Sequence, residues 1–142
     1  MPTRHATAVW EGGLAKGKGS FRTESGAVNA TYSVGSRFEQ SPGSNPEELL
    51  AAAEAACFSM ALSLGLEQAG TPPTRVETSA ACTIEKQGAG FKITTMKLTV
   101  SATVPGIDPA KFQAIAEATK EGCPVSAALK GNVALSLDAK LA

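Results

Sequence analysis

The stretch GSNPEELLAAAEAACFSMALSLGLEQAGTPP, residues 43 to 73, leaves this chain few choices. Asn45 suits a helix N-cap and Pro46 the first helical position, and Glu47 and Glu48 face the positive end of the helix dipole. The helix should run to about Gln68, where Gly70 and then Pro72-Pro73 stop it. Ala51, Ala52, Ala53, Ala55, Ala56, Ser59, Ala61 and Ser63 make it small on nearly every side. Other backbones can approach such a helix closely, so it reads as a central helix packed on several faces, with its own copy in a dimer one candidate neighbour. Glu54 and several Ser and Gly interrupt the oily run Leu49 to Leu66, which favours a buried helix over a membrane span.

Everything else is arranged around that helix. A chain of 142 residues has the usual size of one domain with one core. Residues 4 to 10 and 28 to 34 read as strands, separated by GGLAKGKGSFRTESG, a Gly-rich hairpin or loose, strand-containing arm. Lys18-Gly19-Ser20 lacks the spacing of a phosphate-binding loop. After the helix, VETSAACTIE places Val76, Thr78, Ala80, Cys82 and Ile84 on one face, and MKLTVSATV does the same for Met96, Leu98, Val100, Ala102 and Val104. Phe91 and Ile93 have the opposite parity, which calls for a bulge near Thr94-Thr95. A second helix starts at the cap Asp108 with Pro109 and ends at Gly122; Phe112, Ile115 and Ala116 form its apolar stripe. A short third helix runs from Pro124 to about Lys130, and NVALSLDAKLA closes the chain as a strand with Val133, Leu135, Leu137 and Leu141 inward. Strands, helix, strands, helices, strand is an α+β order.

Three cysteines and one histidine, His5, are the soft ligands available, with no CxxC. A zinc site takes about four N or S ligands, so no metal is expected. Acidic and basic residues balance at 13 each, and no basic run supplies a nucleic-acid footprint. The N-terminal stretch MPTRHATAVWEGG has no apolar signal core, so a cytoplasmic protein with reduced thiols is expected, binding neither membrane nor nucleic acid.

Cys57 sits in AEAACFSMAL, on a helix face that is apolar except for Glu54. Burial and a nearby carboxylate both keep a thiol protonated. This segment alone leaves two readings open: a small core hydrophobe, or a nucleophile that needs help to ionise. Cys123, between Gly122 and Pro124, would cap the short helix, where backbone N–H groups and the positive helix end favour a thiolate. Cys82 alternates inward on its strand and reads as packing. Arg37 is one of four arginines. It stands just before the long helix, where its permanent charge and donor fork could hold a thiolate ionised or form a surface ion pair with Glu39, Glu47 or Glu48.

YSVGSRFE, NPEELLAAAEAACFSMALS, VPGID and CPVSAAL follow one another across nearly the whole chain. This set resembles the OsmC/Ohr family of peroxiredoxin-like proteins, and its OsmC branch more than its Ohr branch. The resemblance implies a single OsmC-like domain over residues 1–142. It implies an α+β fold built as an intertwined homodimer, with central long helices enclosed by antiparallel-rich sheets and active sites at the subunit interface. The activity implied is a cofactor-independent, cysteine-based reduction of organic hydroperoxides. Cys57 matches the peroxide-reacting cysteine, Cys123 its resolving partner, Arg37 the activating arginine and Glu47 the glutamate that pairs with it. The implied cycle passes through a Cys57 sulfenic acid and a Cys57–Cys123 disulfide that an external dithiol of the lipoyl type reduces. Phe38, Phe58, Met60 and Leu62 are candidate lining for an apolar substrate site.

Where family members often carry a histidine, three residues before the reactive cysteine, this chain has Glu54. It is expected to point away from the thiol or to join the charge network. Ten residues of straight helix span about 15 Å, so Glu47 could act through Arg37 only if the chain bends after it, or from the other subunit. The small-residue helix favours the second. A non-enzymatic redox sensor, a small-apolar-ligand binder of the same fold, and a structural dimer module with inert thiols are the competing readings. The capping cysteine argues against a simple binder, which has no use for it.

Overall fold

Trp10, Gly19 and Tyr32 stand side by side across three strands, and that row explains the N-terminal part of the chain. A side chain at Gly19 would come within 2.4 Å of the Tyr32 ring and 2.8 Å of the Trp10 ring. With hydrogen there instead, the two rings meet over the strand at a centroid distance of 5.4 Å. In the computed structural model, which describes residues 1–142, the strands are β1 (Ala6–Glu11), β2 (Lys18–Thr23) and β3 (Asn29–Tyr32), an antiparallel meander in the order β1-β2-β3. The Gly-rich arm of the sequence therefore contains the regular strand β2.

The segment after β3 is helical rather than extended. Ser33 and Ser36 form a reciprocal capping box around the single-turn helix α1 (Val34–Phe38). Ser36 also donates to the Ser44 carbonyl at 2.7 Å, and the Asn45 amide donates to the Ser36 carbonyl at 3.0 Å. The Asn45 side-chain oxygen Oδ1 accepts from the Glu48 backbone N–H at 2.8 Å and so caps helix α2 (Pro46–Gln68), as its sequence demands. Contacts divide the chain into two compact units, Met1–Leu49 and Leu50–Ala142, and α2 begins at the end of the first.

The second unit holds the core. Strands β4 (Arg75–Gln87) and β5 (Gly90–Thr103) form a long antiparallel hairpin, and β6 (Ala134–Leu141) runs parallel to β5 on its other edge. Thr83 pairs with Thr95 and Ile84 with Ile93, so Thr94 is the extra residue of a bulge at the predicted place. Below it, Met96, Leu98, Val100 and Ala102 point inward and are buried, while Lys97, Thr99 and Ser101 face water. Phe58, Leu62 and Leu66 of α2 join that inner face, together with Phe112 and Ala116 of α3 (Pro109–Gly122). Each of the Phe, Leu, Met and Val side chains fully removed from water there contributes on the order of 1.5–3 kcal/mol. Gly65 lets α3 come close, since a Cβ there would already be 3.1 Å from Ile115.

Only one face of α2 is used this way. Met60 remains 79% exposed and Leu64 54%, and with Ala53 and Ala56 they form an open, mostly small apolar stripe. By length and composition α2 is apolar enough to cross a membrane. Within one chain α2 is thus divided into a face against the sheet and an open face.

Candidate active site

Gly122 ends α3 and Pro124 opens the short helix α4 (Pro124–Leu129), which leaves Cys123 as the single joint between them. Its backbone is extended, as a residue before proline prefers. Its N–H donates to the Thr119 carbonyl and its own carbonyl accepts from Ala127, both at 2.8 Å. The joint is fixed from both sides, and the Cys123 side chain is fully buried. Cys123 is the N-cap residue of α4, as the sequence suggested, but its sulfur makes no capping hydrogen bond. It meets the Cys57 Sγ instead, at 3.0 Å, with both residues reduced.

The α4 backbone serves Cys57 rather than Cys123. The Cys57 thiol is pushed up from its ordinary range first by burial and next by its hydrogen bond with Cys123; the charges of Cys123 and Glu54 push the same way. The Val125 backbone N–H, in the first turn of α4, draws it down. The expected help from a helix start is present, but it reaches the other sulfur.

Glu54 does not point away, nor does it join a charge network. It is 0% exposed, and its Oε1 accepts a hydrogen bond from the hydroxyl of Ser126 on α4, itself buried. Its Oε2 is buried with no partner. Sequence reasoning missed Ser126 and Val125 altogether. The signal for Ser126 was its place one helical turn after Cys123, matching Glu54 one turn before Cys57.

Arg37 and Glu47 lie in the first unit and are bonded to each other. The guanidinium Nη2 donates to Glu47 Oε1 at 2.7 Å, and Nε lies 3.2 Å from both carboxylate oxygens. Glu47 is 6% exposed, so its charge is matched by a forked, charge-assisted pair. Arg37 also stacks over the Phe38 ring at 5.4 Å. The Ser36, Ser44 and Asn45 hydrogen bonds hold the turn that joins the two residues. Helix α2 is continuous from Pro46, with no break after Glu47.

The expected lining divides differently. Phe58 and Leu62 are core residues with no exposed surface, Met60 lies on the open stripe, and Phe38 is the platform under Arg37. The reason is the helical period: 58, 62 and 66 fall on the sheet-facing side of α2. Cys82 sits on β4 opposite Met96 and packs against the core. No group of three or more His, Cys, Asp and Glu side chains comes together in a way that could hold a metal ion.

A family model described as "OsmC-like protein" matches residues 38–138. The Peroxiredoxin OsmC of Escherichia coli (strain K12) is 48% identical over 134 residues, covering 94% of each chain. The organic hydroperoxide resistance protein OhrB of Bacillus subtilis is 35% identical over 103 residues, 72% of this chain and 74% of its own. The crystal structure of that OhrB superposes with a TM-score of 0.75 at 29% identity, over 96% of this chain and 98% of the other.

Proposed function

This chain belongs to the OsmC family, and on that premise we propose that it is a cysteine-based peroxidase reducing organic hydroperoxides to alcohols. The names of its relatives support peroxidase-type activity. The observation that carries the cysteine mechanism is the pair of reduced thiols at 3.0 Å, Cys57 on α2 and Cys123 at the joint between α3 and α4.

The Cys57 thiolate attacks the hydroperoxide oxygen remote from the organic group. The O–O bond breaks, the distal oxygen stays on sulfur as a sulfenic acid, and the organic alkoxide takes a proton to leave as alcohol. Cys123 then attacks the Cys57 sulfur; the S–O bond breaks, a disulfide forms and water departs. An external dithiol of the lipoyl type returns both cysteines to thiols by exchange. A cytoplasmic setting, where thiols are kept reduced, suits this cycle.

Ionisation of Cys57 is the step that its surroundings resist. Burial, Cys123 and Glu54 hold the proton on, and the Val125 amide alone works against them. A cation beside Cys57 would favour the thiolate, and Arg37, aligned by the buried carboxylate of Glu47, is suited to that role. The working form is a homodimer. The open stripe of Ala53, Ala56, Met60 and Leu64 on α2 suits close pairing with its own copy, and Arg37 then reaches Cys57 across the interface.

Steady-state reduction of cumene hydroperoxide with excess dihydrolipoamide tests the proposal. Many turnovers per chain support it. Consumption that stops after one equivalent, with dithiol still present, points to a redox sensor.

A further inference from the structure

The Cys57–Cys123 contact has a second contact beside it. Glu54 lies one turn before Cys57 on α2, and Ser126 one turn after Cys123 on α4, and these two side chains are hydrogen-bonded in the protein interior. Helices α2 and α4 are thus joined at two neighbouring points, sulfur to sulfur and hydroxyl to carboxylate. The second junction is costly for the fold. Its carboxylate is 0% exposed, and Oε2 has no hydrogen-bond partner. A half-satisfied buried carboxylate is a poor way to stabilise a core, where two apolar side chains of similar size would serve better. It also raises the Cys57 thiol, which hinders peroxide attack. A residue that weakens both stability and nucleophilicity needs another use.

We infer that Glu54 and Ser126 form a clasp that holds α4 against α2 and so positions Cys123 for attack on the Cys57 sulfenic acid. Glu54 is a positioning residue for the resolving step. In that step the Cys123 sulfur displaces hydroxide from Cys57. The S–O bond breaks, the S–S bond forms, and the Cys123 proton leaves with the hydroxide as water. Cys123 sulfur is oxidised and Cys57 sulfur reduced by one unit each, so no outside oxidant is required. What the clasp supplies is proximity, and small misplacements of reacting atoms are expensive in rate. The inference rests on the peroxidase reading for its biological use, but the clasp can be measured without peroxide.

The experiment compares wild type with Ser126→Ala, Glu54→Ala and Glu54→Gln, each first checked for cooperative melting. The Cys57–Cys123 disulfide is equilibrated against reduced and oxidised dithiothreitol at neutral pH, with no peroxide present. Ser126→Ala and Glu54→Ala should shift the equilibrium toward the dithiol by about tenfold or more, as loss of proximity demands. Glu54→Gln, whose amide oxygen can still accept from Ser126, should stay within about threefold of wild type. In a second arm, stopped-flow oxidation by cumene hydroperoxide separates loss of the first thiol from disulfide closure. The two alanine variants should keep or speed the first step and slow closure, with the Cys57 sulfenic acid trapped by dimedone. An unshifted dithiothreitol equilibrium in a folded Ser126→Ala protein overturns the clasp, as does a Glu54→Gln protein that behaves like Glu54→Ala. A shifted equilibrium together with a wild type inert to hydroperoxide upholds the clasp and removes the peroxidase reading.

Discussion

The Cys123 sulfur makes no hydrogen bond to the helix that Cys123 begins and lies 3.0 Å from the sulfur of Cys57. The backbone around it is held by Thr119 on one side and Ala127 on the other, so the contact is built into the joint between α3 and α4. Two thiols this close, one on a long helix and one at a fixed corner, have the proximity that the proposed disulfide step requires.

Serine at either position should separate the two halves of the cycle. Cys57→Ser abolishes peroxide consumption while the fold melts normally, because a hydroxyl is a far weaker nucleophile here. Cys123→Ser consumes about one peroxide per chain and then stalls, and mass spectrometry finds added oxygen on Cys57. Normal cycling by Cys123→Ser would mean that the external thiol resolves the sulfenic acid directly.

Arg37 should control the ionisation of Cys57. In wild type, iodoacetamide alkylation of Cys57 is near its plateau at neutral pH. In Arg37→Ala its midpoint moves upward, because burial, Cys123 and Glu54 then act against the Val125 amide alone. Arg37→Lys falls between, since it keeps the charge but loses the fork that grips Glu47. Each unit of midpoint is worth about 1.4 kcal/mol between thiol and thiolate. Identical midpoints in all three proteins would assign the activation to another group.

Subunit mixing should reveal whose arginine is used. Cys57→Ser and Arg37→Ala chains, inactive or slow alone, are co-expressed with different tags and the heterodimer is isolated. Delivery of Arg37 across the interface leaves one complete site per heterodimer, so about half the wild-type activity returns. A heterodimer no more active than its parents places Arg37 and Cys57 of one chain together.

Cys82→Ala should leave activity nearly unchanged and cost on the order of 1 kcal/mol in chemical denaturation, through lost packing against the core. Loss of activity with stability retained would mean that the reacting pair includes Cys82.

Much of this was legible in residue spacing. The caps at Asn45 and Asp108, the strand faces of β4, β5 and β6, and the bulge at Thr94 follow from local rules of period and capping. The β2 strand was obscured by the glycines in and around it, because Gly19 makes sense only beside Trp10 and Tyr32. Helix α1 was hidden by its length, since one turn held by a serine capping box leaves no periodic trace. At the site, the pairing of Arg37 with Glu47 followed from the family resemblance. The inward turn of Glu54 did not, because its partner Ser126 is 72 residues away in sequence. Long-range polar contacts of that kind leave no signature in a helix pattern.

The most direct test of the cysteine-pair mechanism is a thiol count after one equivalent of cumene hydroperoxide per chain. Two of the three thiols should disappear together, one equivalent of cumyl alcohol should form, and peptide mapping should find Cys57 joined to Cys123 with Cys82 untouched. Three thiols remaining, or a disulfide that includes Cys82, would contradict the mechanism.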